Sequence, residues 1–152
     1  MGSKFQRKGF LSFLAQVELM DISVAIGSLT ENKRAWFLLK KSGLNKFFKP
    51  DTVILKEDIT RPKPDPEVYF KTAEKMKINP TSQLVFEDSH NGIRAAVEAG
   101  SIAIRMPVVF QPTVIQRMRN EGAAMIFENW QNASEVLVDK KEKVSFSVSG
   151  RA

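Results

Sequence analysis

Residues 84–100 read LVFEDSHNGIRAAVEAG, and this stretch decides the fold. An apolar run, Leu84-Val85-Phe86, ends in two adjacent acids, Glu87 and Asp88. A serine and an Asn-Gly pair follow, then small residues at helical spacing that close on Gly100. Strand, acidic tip, tight turn and helix together are how an α/β protein presents carboxylates beyond the carboxyl end of its sheet. Adjacent carboxylates repel each other, and after a buried strand they also lose hydration. A hard cation such as magnesium relieves both costs and takes oxygen ligands. A second reading stands beside this one: Asp88 or Ser89 serves only to cap the N–H groups of the following helix.

Working outward, short apolar runs alternate with amphipathic segments along the chain, which argues for α/β layering with a mostly parallel sheet. Strands are expected at 22–27 (ISVAIG), 52–55, 84–86, 102–104 and 124–127. Helices are expected at 10–19, 31–42, 67–77, 91–99, 112–120 and 130–137, with Gly43 and Gly100 as stops. Residues 143–150 (KVSFSVSG) alternate in the manner of a strand. The expected organisation is one core domain over 1–139, then a polar tail or extra strand over 140–152.

Composition narrows the function classes. The chain has 152 residues, enough for one domain with a real core. It contains no cysteine, which excludes disulfides, thiolate metal sites and a cysteine nucleophile, and which suits the cytoplasm. No apolar run reaches the ~18 residues of a membrane span, and no signal peptide opens the sequence. The net charge is +6, but Lys33, Arg34, Lys40 and Lys41 read as a solvated helix face. No aromatic-interleaved basic platform is present. Neither nucleic acid nor membrane is therefore expected as a partner. The sole histidine, His90, reads as a loop residue rather than a general base.

Two further loops carry polar devices, and sites in parallel sheets form where such loops converge. Gly27-Ser28-Leu29-Thr30 follows the 22–27 strand and opens a helix. A hydroxyl and backbone N–H groups at a helix start make an anion site; equally, Ser28 or Thr30 only caps the helix. Arg61-Pro62-Lys63-Pro64-Asp65-Pro66 flanks a lysine with prolines that restrict the backbone. Lys63 then holds a charge at a fixed place against a phosphate or carboxylate. The alternative is an exposed turn lysine beside a helix-capping Asp65.

Taken together, VAIGSLTENK, RPKPDPEVYFKTAEKM and LVFEDSHNGIRAAVEAGSIAI resemble the haloacid dehalogenase-like hydrolases, in the branch of phosphatases and β-phosphoglucomutase-like proteins. The resemblance runs from about Lys8 to about Leu137. It implies a Rossmann-like parallel sheet with helices on both faces, and Mg2+-dependent transfer of a phosphoryl group from a small phosphorylated metabolite through an aspartyl-phosphate. It implies that Ser28, the Leu29 N–H and Asn32 contact phosphate or substrate. Lys63 would offset phosphoryl charge, with Lys63 and Ser28 the catalytic members present. Asp88, with Glu87 beside it, would hold the magnesium.

The resemblance is incomplete. The family's first motif, Asp-x-Asp-Gly, supplies the nucleophile and the general acid/base, and no Asp-x-Asp occurs in this sequence. The expected form is a phosphatase or phosphomutase lineage missing the motif I strand and the cap, inactive alone and binding magnesium weakly or not at all. A non-catalytic binding or regulatory protein on the same scaffold is the alternative, and so is a half completed by another chain or by a homo-oligomer. In the family the missing strand lies between those ending at Ser28 and Glu87, and strands sit about 4.8 Å apart. Something must cover the two apolar edges. The candidates are direct pairing of the two strands, the 143–148 tail, or a second chain.

Overall fold

A computed structural model describes residues 9–106 and 111–138. Five parallel strands and six α-helices alternate along it. The strands are β1 (Ile26–Gly27), β2 (Val53–Ile54), β3 (Leu84–Glu87), β4 (Ile102–Arg105) and β5 (Met125–Ile126). The helices are α1 (Phe10–Leu19), α2 (Asn32–Ser42), α3 (Glu67–Met76), α4 (His90–Glu98), α5 (Pro112–Asn120) and α6 (Trp130–Leu137). The expected elements are present in the expected order. Gly43 ends α2 in the left-handed region, at φ 75°, a conformation that favours glycine.

Period-two alternation assigns the strand residues to two faces. Leu84, Phe86 and Ile104 point into a core with Phe10, Phe13, Leu14 and Val17 of α1 and Trp130 of α6. Trp130 lies 4.7 Å from Phe10, 5.1 Å from Phe13 and 4.8 Å from Phe86 between ring centroids. On the other face, Val85 and Ala103 pack with Val68 and Tyr69 of α3 and with Ile93, Ala95 and Ala96 of α4. Helices thus cover both faces of a parallel α/β fold.

Among the described residues the strands form two sheets, β1-β2 and β3-β4-β5. Ile26 pairs with Val53, and Leu84 with Ile102. β1 is shorter than the expected 22–27 strand: residues 22–25 carry no ladder, because a strand is defined by a partner. Direct pairing of β1 with β3, one of the three expected compensations, is not what forms. The 143–148 tail, another of them, lies outside the described residues. Among the described residues, packing joins the two sheets. Both cores draw residues from both sheets, with Ile26 and Val53 meeting Phe86 and Ile104 in one, and Ile54 meeting Val85 in the other. Helix α3 closes on β1 so tightly that a Cβ on Gly27 would lie 2.9 Å from Val68 Cγ2. Every residue of β1 and β3 is buried.

Candidate functional site

The loops after β1, β2 and β3 meet at the carboxyl ends of the strands, as parallel topology requires. Lys63 joins them. Its Nζ donates to Gly27 O at 3.2 Å, at the end of β1, and to Glu87 Oε1, at the end of β3. The Lys63 side chain is 9% exposed and that of Glu87 is 2% exposed, so this is a buried ion pair. Of the two sequence readings of Lys63, the exposed turn lysine is excluded.

The lysine loop is built from its own sequence. Asp65 Oδ1 accepts the Glu67 N–H at 2.9 Å and so caps α3. The Glu67 carboxylate turns back to receive the N–H groups of Thr60 at 3.0 Å and Arg61 at 2.7 Å, the Thr60 hydroxyl at 2.9 Å, and Lys71 Nζ at 2.9 Å. These donors, the Thr60 N–H foremost and then Lys71 and the Arg61 N–H, hold the Glu67 carboxyl down at about 2. Both ends of the segment that carries Lys63 are therefore anchored by one carboxylate. Glu67 was not singled out in the sequence; its position opening α3 within Asp-Pro-Glu was the available signal.

Glu87 faces inward and is fully engaged. Oε1 receives Lys63 and the Tyr69 hydroxyl; Oε2 receives the Asp88 N–H at 3.1 Å and the Ser89 hydroxyl at 3.3 Å. The carboxylate lies against the Cα of Gly92, where an added Cβ would stand 2.0 Å from Glu87 Cδ. Ser89, not Asp88, caps α4 by accepting the Gly92 N–H at 3.0 Å. That leaves Asp88, half-buried, at the rim. His90 is the first residue of α4 rather than a loop residue, and its Nδ1 pairs with Glu121 Oε1.

The Ser28 turn is tied to β2. Its N–H donates to Ile54 O at 3.0 Å, and Lys56 N–H returns to Thr30 O at 3.2 Å. The Ser28 hydroxyl donates to Thr30 Oγ1 at 2.9 Å and accepts the Thr30 N–H at 3.2 Å. It does not cap α2: the Asn32 N–H is taken by the Glu57 carboxylate at 3.0 and 3.1 Å. That bond is the chief cause that lowers the Glu57 carboxyl. The Leu29 N–H makes no hydrogen bond to the described residues. Ser28, Leu29, Lys63, Glu87 and Asp88 are thus on converging loops, whereas the backbone of Asn32 is already occupied by an anion of the chain itself.

A family model for haloacid dehalogenase-like hydrolases matches residues 5–106. The chain belongs to this family. Among curated relatives, a phosphorylated carbohydrates phosphatase of Thermotoga maritima is 32% identical over 95 residues, 62% of this chain and 43% of that protein. A β-phosphoglucomutase of Mycobacterium bovis is 33% identical over 122 residues, 78% of this chain and 45% of that one. The chain therefore spans about half the length of the curated relatives it matches. Among solved structures, a family IA hydrolase of Entamoeba histolytica superposes with a TM-score of 0.78 at 19% identity, covering 88% of this chain and 58% of the other. A putative β-phosphoglucomutase of T. maritima superposes with a TM-score of 0.70 at 26% identity, covering 86% and 60%.

The donor set decides how far a metal site is assembled. A hard divalent cation takes about six oxygen ligands. Asp88 and Glu87 offer two carboxylates, and both Glu87 oxygens already receive donors. No group of three His, Cys, Asp or Glu able to hold a metal occurs among the described residues. Toward such an ion these residues would offer two carboxylates, with water or phosphate oxygens completing the set. No helix among the described residues is long and apolar enough to cross a membrane.

Proposed function

We propose that this chain is the phosphoryl-binding part of a phosphatase or phosphomutase of the Mg2+-dependent, aspartate-nucleophile lineage, and that it does not turn over substrate alone. The observation that carries the reading is Lys63, which spans the ends of β1 and β3 and sets a fixed cation where three strand-end loops meet. In this reading Ser28 Oγ and the Leu29 N–H receive the phosphoryl oxygens and Lys63 offsets their charge. Electrostatic preorganisation of this kind is the main protein contribution to phosphoryl transfer. Asp88, with Glu87 beside it, supplies acids from one side of a metal whose remaining ligands are not among these residues. The nucleophile and the general acid/base belong to an Asp-x-Asp that this sequence does not contain.

The substrate class follows the relatives. A fructose-1-phosphate phosphatase of Escherichia coli is 36% identical over 81 residues, 53% of this chain and 42% of that one. Together with the carbohydrate phosphatase and the phosphoglucomutase, it supports a small phosphorylated sugar as the ligand.

Two measurements on the purified chain test this. Calorimetric titration with inorganic phosphate is expected to show binding that is lost in Lys63→Met. Hydrolysis of p-nitrophenyl phosphate with magnesium is expected to stay at the buffer rate. Absence of phosphate binding would overturn the site assignment; magnesium-dependent hydrolysis by this chain would overturn the assignment of the missing nucleophile.

A further inference from the structure

Tyr69 is the sole tyrosine of the chain and is 1% exposed. Its ring packs with Ile54, Val68, Val85 and Ile93, and a phenylalanine would serve that packing equally. The hydroxyl needs its own account, because a buried phenol without a partner is costly. It donates to Glu87 Oε1, the oxygen that also receives Lys63 Nζ. The Lys63 ammonium in turn lies 5.0 Å from the centroid of the Tyr69 ring, within cation–π range. One side chain therefore touches both members of the buried ion pair, the anion with its hydroxyl and the cation with its ring. Burial, then the Glu87 charge, pushes the phenol well above its ordinary value, so it stays a donor at neutral pH.

We propose that Tyr69 is a positioning residue for Lys63: its hydroxyl fixes the Glu87 carboxylate, and that carboxylate with the Tyr69 ring fixes the ammonium that faces a bound phosphoryl group. The inference rests on the phosphoryl-binding reading above. Glu87 alone has two oxygens and a long side chain. The Asp88 N–H and the Ser89 hydroxyl hold only Oε2. Without the phenol, Oε1 loses the donor that holds it from the side of α3, and the Glu87–Lys63 pair is placed less firmly. Either result, a looser ammonium or one drawn more tightly onto Glu87, leaves Lys63 less available to phosphate.

Tyr69→Phe removes one oxygen and keeps the ring. It is expected to weaken binding of inorganic phosphate about tenfold, in line with the loss of one hydrogen bond to a charged group. The unmutated chain gives an independent measurement. Because Tyr69 is the only tyrosine, growth on 3-fluorotyrosine places one 19F reporter on it. Its resonance is expected to move during a phosphate titration with the Kd found by calorimetry. A reporter that stays still while calorimetry records binding would overturn the inference, as would unchanged affinity in a folded Tyr69→Phe. If near-UV circular dichroism shows that Tyr69→Phe does not fold, the fluorine titration decides alone. If the unmutated chain binds no phosphate, the phosphoryl reading itself fails, and this inference with it.

Discussion

Gly92→Ala sets two physical effects against each other with opposite signs. Gly92 is the third residue of α4 and is buried. Helix propensity alone predicts that alanine there stabilises the fold by about 1 kcal/mol. The structure predicts the reverse. The new Cβ would stand 2.0 Å from Glu87 Cδ, 2.1 Å from Oε2 and 2.4 Å from Oε1. Non-bonded heavy atoms settle near 3.5 Å, so the carboxylate must retreat by more than about 1 Å. Glu87 is 1% exposed, so the carboxylate must retreat within the packed interior. Retreat stretches its bonds with Lys63, Tyr69, the Asp88 N–H and Ser89. Losing one bond to a charged group costs about 1.5–3 kcal/mol. Overpacking adds about 1–3 kcal/mol. With the propensity gain set against these, the net loss is about 1.5–5 kcal/mol.

Urea unfolding followed by the fluorescence of Trp36 and Trp130 measures this directly. A companion cycle locates the cause. Glu87→Ala removes the carboxylate that the new methyl strikes, so in that background Gly92→Ala should become neutral or stabilise by about 1 kcal/mol. A Gly92→Ala chain as stable as wild type, or more so, would refute the placement of Glu87 against α4. An equal loss in both backgrounds would refute the carboxylate as its cause.

Three further outcomes follow from the geometry. The Glu67 carboxyl, ordinarily near 4.5, is held at about 2 in the fold, so its stabilisation is complete above pH 4.5 and is lost as the pH falls toward 2; Glu67→Gln should flatten the acid limb of urea midpoints across that window, and an unchanged limb would count against the clamp. Phe13→Ala removes the ring packed against Phe86 and Trp130 and should cost about 3–5 kcal/mol in the same unfolding assay. Lys63→Met leaves the Glu87 charge buried without its ammonium and should cost about 3 kcal/mol, partly regained by adding Glu87→Gln.

The sequence was legible where the physics is local. The continuous apolar run Leu84-Val85-Phe86, set by burial on both faces of β3, and the 3.6-residue spacing in α3 and α4, set by burial of one helix face, can be read without coordinates. Helix stops at Gly43 and strand-to-helix turns at Ser28 and Ser89 are short-range as well. The length of β1 was not legible, because a ladder depends on a neighbour distant in sequence. The role of Tyr69 was hidden for the same reason. Tyr69 stands at an apolar position of α3, and nothing in its local pattern tells whether its hydroxyl finds a partner 18 residues away. Asn32 illustrates the converse. The family resemblance implied a contact with substrate there, and its backbone N–H is instead taken by Glu57 from the loop after β2.

The adjacent acids that open the reading of this chain divide their work because of strand geometry. Successive residues at the end of a strand point to opposite sides. Glu87, the last residue of β3, turns into the layer between the sheet and α3, where Lys63 and Tyr69 wait. Asp88 falls past the strand end and stays at the rim. A pair that looks equivalent in sequence therefore has one member bound to the fold's own cation and another at the rim, where a ligand would arrive. The same division accounts for Gly92: only a residue without a side chain, one helical step beyond Ser89, lets the inward carboxylate lie flat against α4. Charge on the lysine loop, the buried acid, the buried phenol and the glycine are then one arrangement. Each member is intelligible only through the Glu87 carboxylate that the others surround.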